Sequence, residues 1–169
     1  MKAVVVYESL WGNTAAAAHA IAEGLGPDAH ALSTAEATGG AMAGVDLIVA
    51  GGPVFAFKPS TDTARENVRK NPGKAPAPPD LSHPCLRSWL ESLPAGHGRS
   101  AAFDTQVRGP FGKRAPTIAE ALERAGYLRL AEPTGFVVKG QHGPLRDGEL
   151  ERAREWGAEL ARLMAGART

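Results

Sequence analysis

The sequence predicts a three-layer α/β/α sandwich built on a parallel sheet, and three observations predict it. Apolar runs at 3–7, 45–50 and 135–138 are continuous rather than alternating, the pattern of strands buried on both faces. The segments between them carry apolar residues at helical spacing. Strands alternating with helices need crossover connections, which stack helices on both faces of one sheet.

The first element is the strand 3–7, followed at once by Ser9-Leu10-Trp11-Gly12-Asn13-Thr14 and then an alanine-rich helix over 15–25. Ala17, Ala18, Ile21 and Leu25 form its apolar stripe. A weak edge strand is expected over 30–33, and the third strand over 45–50. A loop follows it, Gly51-Gly52-Pro53-Val54-Phe55-Ala56-Phe57. Residues 60–70 suit a short helix capped by Ser60. The stretch 71–84 carries Pro72, Pro76, Pro78, Pro79 and Pro84 and is expected as a surface insertion. No second core follows it, so residues 1–169 read as a single domain.

Leu86, Trp89, Leu90 and Leu93 then mark a helix, with Pro84 near its first turn. A fourth strand is expected over 100–103, leading into Asp104-Thr105-Gln106 and a loop through Arg108, Lys113 and Arg114. Ile118, Ala121, Leu122 and Ala125 mark the next helix, stopped by Gly126. The fifth strand is 135–138. The last helix carries Leu150, Ala153, Gly157, Leu160 and Met164, with Asp147 expected as its N-cap.

Composition excludes several classes. The 169 residues carry a formal net charge of +1, so nothing favours nucleic acid or an anionic membrane surface as a partner. No apolar stretch approaches membrane-spanning length, and Glu8 ends the first run too early for a signal core. The one cysteine, Cys85, forms no internal disulfide, and a cytoplasmic location is expected. The five histidines show no metal spacing, and His83 with Cys85 lacks a further ligand.

In such a sheet, ligands bind beyond the carboxyl ends of the strands, where the strand order switches. Three segments therefore converge there. Ser9 to Thr14 places hydroxyls, an amide and helix N-terminal N–H groups in position for a phosphate, with Gly12 allowing close approach. Phe55 and Phe57 offer faces for a planar ring, with Pro53 stiffening the turn. Asp104 and Thr105 offer polar groups to a ring edge or a ribityl chain. Together the three suit flavin mononucleotide (FMN). Taken without its context, Ser9 to Thr14 reads first as an N-capped turn, and its place between strand and helix reverses that reading. Phe55 and Phe57 also suit lid residues packed on the core. Arg108, Lys113 and Arg114 read as a solvated loop.

The chain resembles the flavodoxin-like family. Ser9, Gly12, Asn13 and Thr14 stand where that family places its phosphate loop, and Gly51-Gly52-Pro53 is similar to its loop after the third strand. The similarity runs to the end of the chain through Gly143-Pro144-Leu145, Gly148-Glu149, Glu151-Arg152-Ala153 and Trp156-Gly157. The resemblance implies a five-stranded sheet in the order 2-1-3-4-5 and a cytoplasmic, FMN-binding electron carrier. It also implies cofactor contacts from Ser9 to Thr14, Pro53 to Phe57 (including Val54 and Ala56) and Asp104 to Gln106. The expected partner is a redox protein or an NAD(P)H-dependent reductase. Two other readings share the scaffold: an NAD(P)H-dependent quinone or flavin reductase, and a module that no longer binds FMN. Three departures stand out. Trp11 takes the place of a phosphate-binding hydroxyl, Val54 replaces a threonine, and Phe111 is the only aromatic available in the last loop. Arg108, Lys113 and Arg114 near the ring favour reduced flavin, opposite to the acidic surroundings usual in flavodoxins. Gly51-Gly52 stands where a phospho-receiver needs a carboxylate, which excludes that related chemistry.

Overall fold

The computed structural model describes residues 1–54, 62–71, 73, 75–109 and 113–167. Its strands are β1 (Ala3–Tyr7), β2 (Ala29–Ser33), β3 (Leu47–Pro53), β4 (Arg99–Val107), β5 (Leu128–Arg129) and β6 (Thr134–Val138). Its α-helices are α1 (Asn13–Leu25), α2 (Asp62–Lys70), α3 (Leu86–Ser92), α4 (Ala115–Arg124) and α5 (Glu149–Gly166), with a 3-10 turn at Gly39–Ala41. All sheet pairings are parallel, in the order β2-β1-β3-β4-β5, and β6 also pairs with β4.

β1, β3 and β4 each feed two cores because successive side chains point to opposite faces. Ala3 and Val5 pack with α1 and α5; Val4 and Val6 pack with α3 and α4. That is why these runs are apolar at every position rather than at every second one. Fully burying a side chain such as Ile21, Leu47 or Leu122 contributes about 1.5–3 kcal/mol. Trp156 wedges against Phe103 and Phe136, with ring centroids 6.5 and 6.1 Å away. Trp89 is buried and donates its indole N–H to the Ala37 carbonyl at 2.7 Å.

Small residues set the spacing between α1 and α5. A Cβ on Gly157 would lie 2.2 Å from the Ile21 carbonyl oxygen, and one on Gly24 2.0 Å from that of Arg154. The two helices therefore touch backbone to backbone, which holds α1 firmly against the sheet below the loop that precedes it.

Three expectations change. The third and fourth strands run longer than their apolar cores suggest. Gly51 pairs with Phe103, Gly52 with Asp104 and Pro53 with Thr105. The ring of Phe103 fills the space where a Gly51 side chain would stand, so the glycine belongs to the sheet, not to a loop. The fifth sheet position is shared. β5 pairs with Arg99 and Ser100 of β4, and β6 pairs with 103–107 further along. Asp147 does not cap α5: Gly148 holds the N-cap position at φ 85°, while Asp147 reaches Lys139 at 3.3 Å. The proposed cap Ser60 lies outside the described residues.

Candidate functional site

β1 ends beside β3, with the Glu8 N–H donating to the Gly51 carbonyl at 3.1 Å. The chain then turns through Ser9 to Gly12. Gly12 N–H donates to Ser9 Oγ at 3.1 Å, and Gly12 sits in the left-handed region at φ 90°. Only glycine adopts that conformation without strain. The first bond inside α1 runs from Ala16 N–H to the Gly12 carbonyl at 2.9 Å. The N–H groups of Asn13, Thr14 and Ala15 therefore have no carbonyl within the helix to receive them. They lie at the positive end of the helix dipole, the arrangement that suits an anion.

The loop forms one side of a cavity of about 340 Å³. Its polar wall is Ser9, Asn13, Thr14, Thr105 and Gln141; its apolar wall is Leu10, Trp11, Pro53, Val54, Val107 and Val138. Thr14 and Thr105 share a hydrogen bond of 2.7 Å between their hydroxyls, joining α1 to β4 across the floor.

The structure brings together Ser9, Leu10, Trp11, Asn13, Thr14, Pro53, Val54 and Thr105, as the sequence suggests. Phe55, Ala56, Phe57 and Phe111 lie outside the described residues. Asp104 and Gln106 face the other way, since alternation along β4 sends them to the side opposite Thr105. Asp104 Oδ2 accepts from the Arg114 and Ala115 N–H groups at 2.8 and 2.9 Å and so caps α4. Burial raises its pKa, against the opposing pull of those two N–H groups. Gln106 sets its side-chain amide close over Gly135.

Beneath the loop lies a buried charge cluster that sequence reasoning missed. Glu8 is fully buried and accepts from both Nη atoms of Arg114, each 3.2 Å from Oε1. Its Oε1 also accepts from Leu86 N–H at 3.2 Å, and Arg65 Nε lies 3.6 Å from Oε2. Arg114 donates to the Pro53 carbonyl at 3.0 Å as well. Arg114 is thus committed beneath the loop and not solvated; Arg108 and Lys113 are exposed. The one available signal was Glu8 itself, a carboxylate directly after a strand buried on both faces. Such a position demands a cation.

The proline-rich segment lies across the loop. Asp80 N–H donates to the Leu10 carbonyl at 2.8 Å, and Trp11 Nε1 to the Ala77 carbonyl at 3.1 Å. The Trp11 ring also meets His142 edge-on, with centroids 4.5 Å apart. Trp11 is therefore a tether to this segment.

No known protein family matches the chain in a comparison with family profiles, and no curated protein matches it. Solved structures do. The structure of a flavodoxin from the domain Archaea is 22% identical, with a TM-score of 0.68, covering 98% of this chain and 99% of that one. Flavodoxin 2 from Bacillus cereus is 16% identical, with a TM-score of 0.66 and 99% of each chain covered. The flavodoxin, WrbA-like protein from Agrobacterium tumefaciens is 20% identical, with a TM-score of 0.65 and 98% of each chain covered.

The chain has the flavodoxin-like fold. The switch in a flavodoxin-like sheet falls between β1 and β3, since β2 lies to one side of β1 and the remaining strands to the other. The cavity stands at the carboxyl ends of those strands, where this architecture places ligands. No described helix is long and apolar enough to cross a membrane.

Proposed function

We propose that the chain is an FMN-binding electron carrier of flavodoxin type. The observation that carries this reading is the first turn of α1. Three N–H groups without intrahelical acceptors stand behind a left-handed Gly12, and among the described residues, its chain neighbours aside, no atom lies within 4 Å of where a Cβ on Gly12 would be. That is an open cradle for a dianionic phosphate, bordered by Ser9, Asn13 and Thr14. The apolar wall of Leu10, Pro53, Val54, Val107 and Val138 suits the rest of a flavin, whose planar ring is largely apolar.

When bound, the flavin supplies the redox chemistry. The chain's residues bind and orient. Ser9 Oγ accepts from Gly12, which leaves the Ser9 hydroxyl proton free to donate to a phosphate oxygen. Of the Thr14 and Thr105 hydroxyls, one donates to the other, and the second proton stays free for a ligand oxygen. Trp11 is turned to Ala77 and gives the phosphate nothing. One charge-assisted hydrogen bond is thereby missing, worth about 1.5–3 kcal/mol. The partner of such a carrier is a redox protein or an NAD(P)H-dependent reductase.

The test is a titration of the protein with FMN and with riboflavin, following flavin fluorescence. Saturable quenching by FMN and not by riboflavin supports the reading. Quenching by neither overturns it in favour of a module on the same fold without flavin. Steady NAD(P)H oxidation with FMN and a quinone marks a reductase instead of a passive carrier.

A further inference from the structure

His83 stands at the end of the proline-rich segment and is 5% exposed. Its Nε2 accepts the backbone N–H of Ser9 at 3.2 Å, across 74 residues of chain. Two hydrogen bonds run in series from this contact. His83 receives Ser9 N–H, Ser9 Oγ receives Gly12 N–H, and Gly12 in its left-handed conformation opens the first turn of α1. The imidazole thus fixes the peptide plane from which the whole loop hangs.

We propose that His83 is the positioning residue of the phosphate loop, and that the loop holds an anion only while His83 is neutral. The inference deepens the FMN reading and rests on it for the identity of the anion. A nitrogen accepts a hydrogen bond only through its lone pair. Protonation of Nε2 sets an N–H against the N–H of Ser9, two donors facing each other in a buried place. The contact must then break, and the orientation of Ser9 and Gly12 goes with it.

The charged groups around His83 come from three elements. Asp80, on its own segment, has Oδ1 3.8 Å from Nδ1. Arg65 of α2 donates from Nη2 to the His83 carbonyl at 2.5 Å, which fixes the backbone of the residue. Glu8 follows β1 and is held by Arg65 and Arg114. Burial outweighs the attraction of Asp80 and Glu8 and, with Arg65, keeps the imidazole neutral to a lower pH than an exposed histidine. The neutral form with Nδ1 protonated is the one that presents a lone pair to Ser9.

The experiment measures FMN affinity by fluorescence between about pH 5 and pH 8, for the wild type and for His83→Gln. Gln is uncharged throughout, and its side-chain oxygen accepts in place of Nε2. FMN's own phosphate also titrates near pH 6, and the ratio of the two affinities removes that contribution. The expected result is equal affinity at pH 8 and a wild-type affinity about tenfold lower than that of His83→Gln once His83 is charged, the weight of one lost hydrogen bond. A ratio that stays constant through the His83 midpoint found by NMR overturns the proposal. In parallel, the ¹⁵N shifts of His83 and the amide shifts of Ser9 and Gly12 are followed by NMR without FMN. They are expected to move together with one midpoint, below the ordinary histidine value. Ser9 and Gly12 shifts that ignore the His83 midpoint overturn the link directly. Failure of FMN to bind at every pH in both proteins overturns the flavin reading instead. The NMR titration, repeated with inorganic phosphate, then decides whether neutral His83 is what the loop requires to hold an anion.

Discussion

Arg114 grips Glu8 beneath the loop Ser9 to Thr14: both guanidinium Nη atoms stand 3.2 Å from one carboxylate oxygen of a fully buried glutamate. The pair joins the end of β1 to the start of α4, and the same guanidinium holds the Pro53 carbonyl at the end of β3. Two walls of the cavity are therefore fixed from below by one side chain. Arg114→Met is expected to cost about 3 kcal/mol, the low end for a stranded buried charge, because Arg65 remains beside Glu8. Urea denaturation measures it, and a loss under about 1 kcal/mol contradicts this account.

The loop itself gives opposite expectations at two neighbouring positions. Gly12→Val forces a β-branched residue into the left-handed region, at a cost of about 1–2 kcal/mol. Among the described residues no atom beyond its chain neighbours crowds the site, so the fold is expected to survive. FMN binding is expected to vanish while the circular dichroism spectrum stays native. Trp11→Thr places a hydroxyl in the loop proposed to hold the phosphate, at the expense of the tether to Ala77. FMN affinity should rise by about tenfold or more, the worth of one charge-assisted hydrogen bond, with faster proteolysis of the 75–84 segment. An affinity that falls in Trp11→Thr means that the tether matters more than the hydroxyl.

The contact between α1 and α5 tolerates no side chain at Gly157, where a Cβ would meet the Ile21 carbonyl oxygen at 2.2 Å. Gly157→Ala raises helix propensity by up to about 1 kcal/mol, yet it must separate the helices. The overpacking cost of about 1–3 kcal/mol is expected to win. Thermal unfolding checks the sign: a stabilised Gly157→Ala protein would show that α5 moves away freely.

Asp104 makes a prediction about pH. Burial raises its pKa above the ordinary 3.8, so the native state keeps a proton that the unfolded chain has already released. Stability therefore falls as pH rises from about 4 through the raised native value, and the loss is complete above it. Asp104→Asn keeps an acceptor for the Arg114 and Ala115 N–H groups and has no proton to lose. The stability of the wild type relative to Asp104→Asn is expected to decline across that window and then level off. Chemical denaturation at several pH values tests it, and a difference that grows with pH would reverse the sign.

What the sequence determined by itself was local. Continuous apolar runs named the buried strands, helical spacing named the helices, and Ser9 to Thr14 lay between a strand and a helix in plain view. The parallel sandwich followed, because it depends on periodicity and chain order alone; the strand order came from the resemblance to the flavodoxin-like family. Tertiary structure decided the rest. Gly51 to Pro53 and Asp104 to Gln106 look like loops in sequence, since they are poor in apolar residues; they are strands because β3 pairs with β4 as far as Thr105 and β6 pairs with β4 as far as Val107. Asp104 turned from cavity to helix cap through the alternation of β4, whose register only the sheet sets. His83 finds Ser9 across 74 residues and Arg114 finds Glu8 across 106. No pattern along the chain records such pairs, because buried polar groups choose partners by position in space, after the strands have brought them together.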